Sequence, residues 1–205
     1  MKNFLKKFIS DNLGKIIVFL SIFLLSSICG IIYFKYIDIY SKNYLTTYMN
    51  DINTKLLNNE YTINNMQIIY LTIINIFKNI LIIYILGCSV IFAKLNYIFF
   101  AYKGFSIGIS VSSVIYLLGR LKGTIYSLLA IFLPNILIIL VFILLSVLWI
   151  NFSNMIIKNK SLYKLKEYIY RNTVITLITM FLIILCIIPI QLLSVNCIYN
   201  FLKII

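Results

Sequence analysis

Ile16-Ile17-Val18-Phe19-Leu20-Ser21-Ile22-Phe23-Leu24-Leu25-Ser26-Ser27-Ile28-Cys29-Gly30-Ile31-Ile32-Tyr33-Phe34 is an apolar run of 19 residues with no charge in it. A cleavable secretory signal has an apolar centre of only ~7–15 residues, whereas crossing a bilayer takes ~20. The preceding Met1-Lys2-Asn3-Phe4-Leu5-Lys6-Lys7 is basic, as the start of a signal would be, but no small-residue cleavage site follows the run. The reading is a retained transmembrane helix over 16–34 with its N-terminus in the cytoplasm.

The same length test, carried outward along the chain, gives about five spans, at 16–34, 76–94, 97–118, 124–150 and 172–197. Lys78 and Lys94 bracket the second, each able to snorkel to its own interface. The expected fold class is all-α: a polytopic integral membrane protein in which residues 1–205 form a single membrane domain. Composition agrees. The chain is 62% hydrophobic and 11% charged, with a mean hydropathy of +1.04. A water-soluble surface of this size needs roughly 25% charged residues, so a soluble catalytic domain is excluded.

The formal net charge of +13 does not indicate nucleic acid. The cations sit at the ends of apolar runs, where they meet anionic headgroups and fix topology. With the N-terminus inside, Lys2, Lys6, Lys7, Lys15, Lys94 and Lys103 fall on the inner side, together with the basic stretch at 151–171. That makes eleven of the 18 cations inner, and the positive-inside rule gives N-in, C-out.

Two polar stretches interrupt the apolar pattern. The outer loop 35–66 is neutral; Tyr40, Tyr44 and Tyr48 recur every four residues with Ile37 and Ile52 on their face, a stripe that predicts an amphipathic continuation of the first helix. The inner basic loop 151–171 carries Lys158, Lys160, Lys164, Lys166 and Arg171 against Glu167. Its apolar pairs Met155-Ile156, Leu162-Tyr163 and Ile169-Tyr170 repeat every seven residues. That pattern predicts an interfacial basic amphipathic helix lying on anionic lipid.

Within the spans, Gly104, Gly108 and Ser112 form a small-residue ridge. Such a ridge lets two helices approach closely in lipid, inside one chain or across a partner interface. A side chain larger than methyl would separate the backbones there, with alanine the milder change. Lys103 lies about six residues into the third span, some ~9 Å by helical rise, within snorkelling reach of the inner interface. Gly119-Arg120-Leu121-Lys122-Gly123 reads as a tight outer turn. Pro134-Asn135 follows in the fourth span, where the carbonyl freed by Pro134 is a candidate partner for the Asn135 amide.

The catalytic inventory is empty. The chain has no histidine, and Cys29, Cys88, Cys186 and Cys197 are isolated, so neither a metal site nor a cofactor is expected. No predicted span holds Asp or Glu, and there is no Walker A loop, HExxH motif or activated nucleophile. The protein is expected not to be an enzyme.

The block Tyr102-Lys103-Gly104-Phe105-Ser106-Ile107-Gly108, with Lys122-Gly123 and Leu133-Pro134-Asn135, resembles the stage II sporulation protein M family. That family is similar in placing a basic residue before Gly-Phe-x-x-Gly, a Lys-Gly turn, and Pro-Gln-Asn in the next span. Here the Asn is retained and the Gln is absent. The resemblance implies a role in endospore formation, in the mother cell's engulfing membrane. There such a protein is thought to anchor two peptidoglycan hydrolases, the stage II sporulation proteins D and P. It implies a non-catalytic scaffold of a peptidoglycan-remodelling complex. The competing reading, from Lys103, Asn135 and the Gly-rich stretch, is a membrane subunit of a transporter working with a separate ATPase; the lack of an intramembrane carboxylate speaks against it.

Overall fold

The computed structural model describes residues 2–44, 47, 65–89, 91–158 and 162–204. The described residues form helices joined by short turns, with no strand among them. The helices are α1 (Lys2–Asp11), α2 (Leu13–Tyr36), α3 (Asn65–Cys88), a 3-10 turn (Phe92–Leu95), α4 (Asn96–Leu118), α5 (Arg120–Ser127), a π-helical turn (Leu128–Phe132), α6 (Leu133–Lys158) and α7 (Leu162–Ile204). Among the described residues, five helical segments are long and apolar enough to cross a membrane: Leu13–Tyr36, Asn65–Cys88, Phe92–Leu118, Leu133–Ile157 and Lys166–Ser194. At 1.5 Å per residue, a helix the length of α2 reaches ~36 Å, more than the ~30 Å of a hydrocarbon core.

α6 is the central helix, packing against α2, α3 and α7. One core runs through the bundle, built from Phe19 and Phe23 of α2, Ile80 of α3, Phe100 of α4, and Phe142 and Trp149 of α6. The outward faces carry Leu24, Leu25, Ile85, Leu140, Leu177 and Phe181, all exposed. In a bilayer these side chains meet lipid, which needs no polar covering.

Several boundaries differ from the sequence expectation, each for a local reason. The second spanning helix is Asn65–Cys88, not 76–94. Lys78 therefore sits exposed in mid-helix rather than at an end, one residue from the Asn75–Asn79 side-chain bond. The helix stops at Ser89, whose carbonyl accepts from the Ala93 N–H at 3.0 Å and starts the 3-10 turn that holds Lys94. The first span does not continue outward past Tyr36. Ile37 is extended (φ −60°, ψ 140°), and helix resumes only after Asp38, whose carboxylate accepts from the Ser41 N–H. Tyr40 and Tyr44 are exposed on that short helical piece, while Tyr48 and Ile52 lie outside the described residues.

The outer turn is narrower than the five residues from Gly119 to Gly123. Gly119 alone makes it, at φ 79°, a conformation that costs glycine nothing. Helix restarts at Arg120, and Gly123 packs against the main chain of Ile115 in α4. The fourth span shifts from 124–150 to Leu133–Ile157, because the π-helical turn and Pro134 separate α5 from α6. Residues 151–171 are not one interfacial helix. Their first part completes α6 and their second begins α7, so the apolar pairs belong to two packed helices rather than to one surface helix.

Candidate functional site

α2 and α4 run parallel, as alternate spans of a bundle must, and make the largest helix contact among the described residues. Phe19 stacks on Tyr97 at 4.4 Å near one end, and Phe34 meets Tyr116 edge-on at 6.0 Å near the other. Between them the seam is made of small residues. A Cβ added to Gly104 would fall on the Ser26 hydroxyl and the Phe23 carbonyl; one on Gly108 would fall on the Ser27 carbonyl. The ridge of α4 thus faces α2 of its own chain. Ser112, one turn further, is partly buried. Even the methyl of alanine at Gly108 meets main chain, so the limit is tighter than the sequence predicts, with alanine still milder than a larger side chain.

Sequence reasoning missed the other half of this contact. Gly30 of α2 fits over the Phe105 carbonyl and the Ile109 amide, with no room for a Cβ. Its signal was present: Ser26 and Gly30 are four apart, the same spacing as Gly104 and Gly108. It was hidden by the strong apolar character of the run around it.

Pro134 is fully buried at the start of α6. Proline has no N–H to donate, and the helix before it loosens by one residue: Leu133 donates to Leu128 in the π pattern. The Asn135 side-chain amide donates to the Ile131 carbonyl at 2.6 Å. The donor that proline lacks would have met residue 130 in the α register or 129 in the π register, so the Ile131 carbonyl that Asn135 secures is not the one Pro134 frees. Asn135 also lines a cavity of about 160 Å³ with Ser27, Gly108 and Phe132, which joins the glycine seam to the proline turn. Lys103 points back toward the start of α4, its ammonium 5.8 Å from the Phe99 ring.

The basic residues gather at the end of the bundle that holds the chain's first helix. Lys15 donates to Asn151, Asn151 donates to Asn12 at 2.7 Å, and Asn12 donates to the Phe8 carbonyl at 2.9 Å. This relay ties α1 and α2 to α6, and no sequence motif announced it. Lys166 and Arg171 are exposed on the first turns of α7. Lys160 lies outside the described residues, as do the side chains of Lys158 and Lys164. The structure therefore brings Gly108 and Asn135 to one cavity, beside Gly104 and Pro134 on the same two helices, and keeps Lys166 and Arg171 apart on α7.

The profile of the Stage II sporulation protein M family matches residues 18–189. The chain belongs to that family. The match begins inside α2 and ends at Pro189 of α7, so it takes in the glycine seam, the proline turn, and Asn151 and Arg171, but not α1, Asn12 or Lys15. No curated protein and no solved structure matches the chain. Family and fold together make this a sporulation-related membrane protein.

Proposed function

We propose that this member of the Stage II sporulation protein M family is a non-catalytic scaffold. It anchors a peptidoglycan-remodelling complex in the mother cell's engulfing membrane. The observation that carries the reading is the family match over 172 of the chain's 205 residues, positions 18–189. The fold is suited to the task. The α2–α4 seam is closed against its own chain, which gives a firm pair of helices and leaves broad apolar faces for neighbours within the membrane. The partners are the wall hydrolases, stage II sporulation proteins D and P, which carry out the chemistry themselves. The N-terminal helix, Lys15 and Arg171 share one end of the bundle, which supports an N-in, C-out orientation under the positive-inside rule.

Affinity purification of the tagged full-length protein from sporulating cells tests this. Wall hydrolases are expected in the eluate. Recovery of a transport ATPase without any wall hydrolase would overturn the scaffold and favour the transporter subunit.

A further inference from the structure

At the basic end, α6 and α7 enclose with α1 a cavity of about 230 Å³ whose lining divides by chemistry. Leu148, Met155 and Ile175 give it apolar walls, and Asn151, Arg171 and Asn172 give it a polar rim. Arg171 is exposed, yet its guanidinium is stacked 4.4 Å over the Tyr168 ring, which also lines the cavity. Stacking fixes the plane of the guanidinium and leaves its N–H groups available for oxygen acceptors, a fork that matches phosphate. Asn172 is buried, at 5% exposure, and Asn151 is locked by Lys15 and Asn12. Their amides are therefore placed before any ligand arrives.

We propose that this cavity is a discrete binding site for an anionic phospholipid, with the headgroup phosphate held by Arg171 and the Asn151–Asn172 amides, and acyl chain laid against Leu148 and Ile175. Position supports a lipid over a soluble anion. Arg171 and Asn172 lie near the start of the Lys166–Ser194 span and Asn151 near the end of the Leu133–Ile157 span, the depth at which lipid phosphates sit. The apolar wall continues inward from that level, which a free phosphate does not need. Charge supports an anion: around the lining residue Phe8 the chain carries Lys6, Lys7 and Lys15 against Asp11, and on α7 Lys166 and Glu167 offset each other and leave Arg171. The site is separate from the glycine seam and stands whether or not the protein is a scaffold.

The test uses the full-length protein purified in a neutral detergent. Thermal unfolding is followed with added phosphatidylglycerol, phosphatidylcholine or inorganic phosphate, and retained lipid is counted by native mass spectrometry. Phosphatidylglycerol is expected to raise the midpoint and remain bound, and the other two to do neither. Arg171→Gln is expected to weaken phosphatidylglycerol binding roughly fivefold, the factor matching the ~1 kcal/mol of one cation near an anionic leaflet. Lys166→Gln, a change of equal charge outside the cavity lining, is expected to leave binding within twofold of the parent. Equal losses in the two variants would overturn the proposal in favour of diffuse attraction to a basic surface. Stabilisation by inorganic phosphate as strong as by phosphatidylglycerol would overturn the lipid assignment.

Discussion

Along the middle of the α2–α4 seam the contact is glycine and serine laid against main chain, whereas between α6 and α3 it is Trp149, Tyr84 and isoleucine. Both contacts form in a solvent as apolar as the side chains themselves, so neither gains from leaving water. What remains is dispersion and shape. The seam gets its dispersion from close backbones, and the aromatic contact gets it from large surfaces fitted to each other. Trp149 lies edge-on to Tyr84 at 5.0 Å and to Phe152 at 5.5 Å, and its ring and Cβ fill the hollow left by Gly87. The two contacts should therefore fail in opposite ways: the aromatic one when atoms are removed, the seam when atoms are added.

Removal is expected to give the larger effect. Trp149 is fully buried, and Trp149→Ala would leave a cavity among Gly87, Tyr84 and Phe152. Losses of ~3–5 kcal/mol are typical for a core aromatic cut to alanine. Trp149→Phe should cost much less, because the indole Nε1 has no hydrogen-bond partner to lose among the described residues. Thermal unfolding of the full-length protein in detergent measures both. Equal destabilisation by the two variants would mean that the contact depends on the indole itself and not on filled volume.

Addition to the seam comes next. Gly108→Ala should cost ~1–3 kcal/mol, because the new methyl meets the Ser27 carbonyl, which moves only if α2 moves. Gly14→Ala is the control, since a Cβ there meets nothing within 4 Å among the described residues. If Gly108→Ala melts with the parent protein, α2 and α4 are not held at backbone contact, and the contrast between the two regions collapses.

How much of this was legible in sequence follows from what each signal depends on. Spans are a matter of length and hydropathy, so five apolar helices were readable, and Gly104 and Gly108 stood out because glycine is costly inside a helix without a reason. Which partner the ridge meets is not local information; only the fold sets Gly30 and Ser27 against it. The edges of the second span are not legible because lysine usually marks an interface, yet Lys78 sits in mid-helix. The heptad of apolar pairs at 151–171 was real, but a period cannot reveal that the chain turns back within it. The Lys15–Asn151–Asn12 relay pairs residues far apart in the chain, and asparagine carries too little pattern to predict it.

The smallest effect tests whether the seam has a fixed far end. Beyond Phe34, the helical piece after Asp38 is tied back by Lys42, which donates to the Lys35 carbonyl at 2.9 Å and lies 5.8 Å over the Phe34 ring. Asp38 holds the start of that piece: hydrogen bonding from Ser41 keeps its carboxyl below the ordinary value of 3.8. A lowered carboxyl contributes fully above its unfolded value and loses that contribution as pH falls through its folded one. Acidification below pH 3.8 should therefore speed hydrogen exchange at 38–44, after correction for intrinsic rates, while 140–155 around Trp149 stays protected. Asp38→Asn keeps a capping oxygen that does not titrate, so it should abolish the acid step without loosening the segment at neutral pH. The carboxylate is exposed, so the change is confined to this turn and should not move the global melting midpoint. If exchange at 38–44 ignores pH, or if Asp38→Asn responds to acid as the parent does, the far end of the seam is not held through Asp38. The α2–α4 contact would then end at the Phe34–Tyr116 pair.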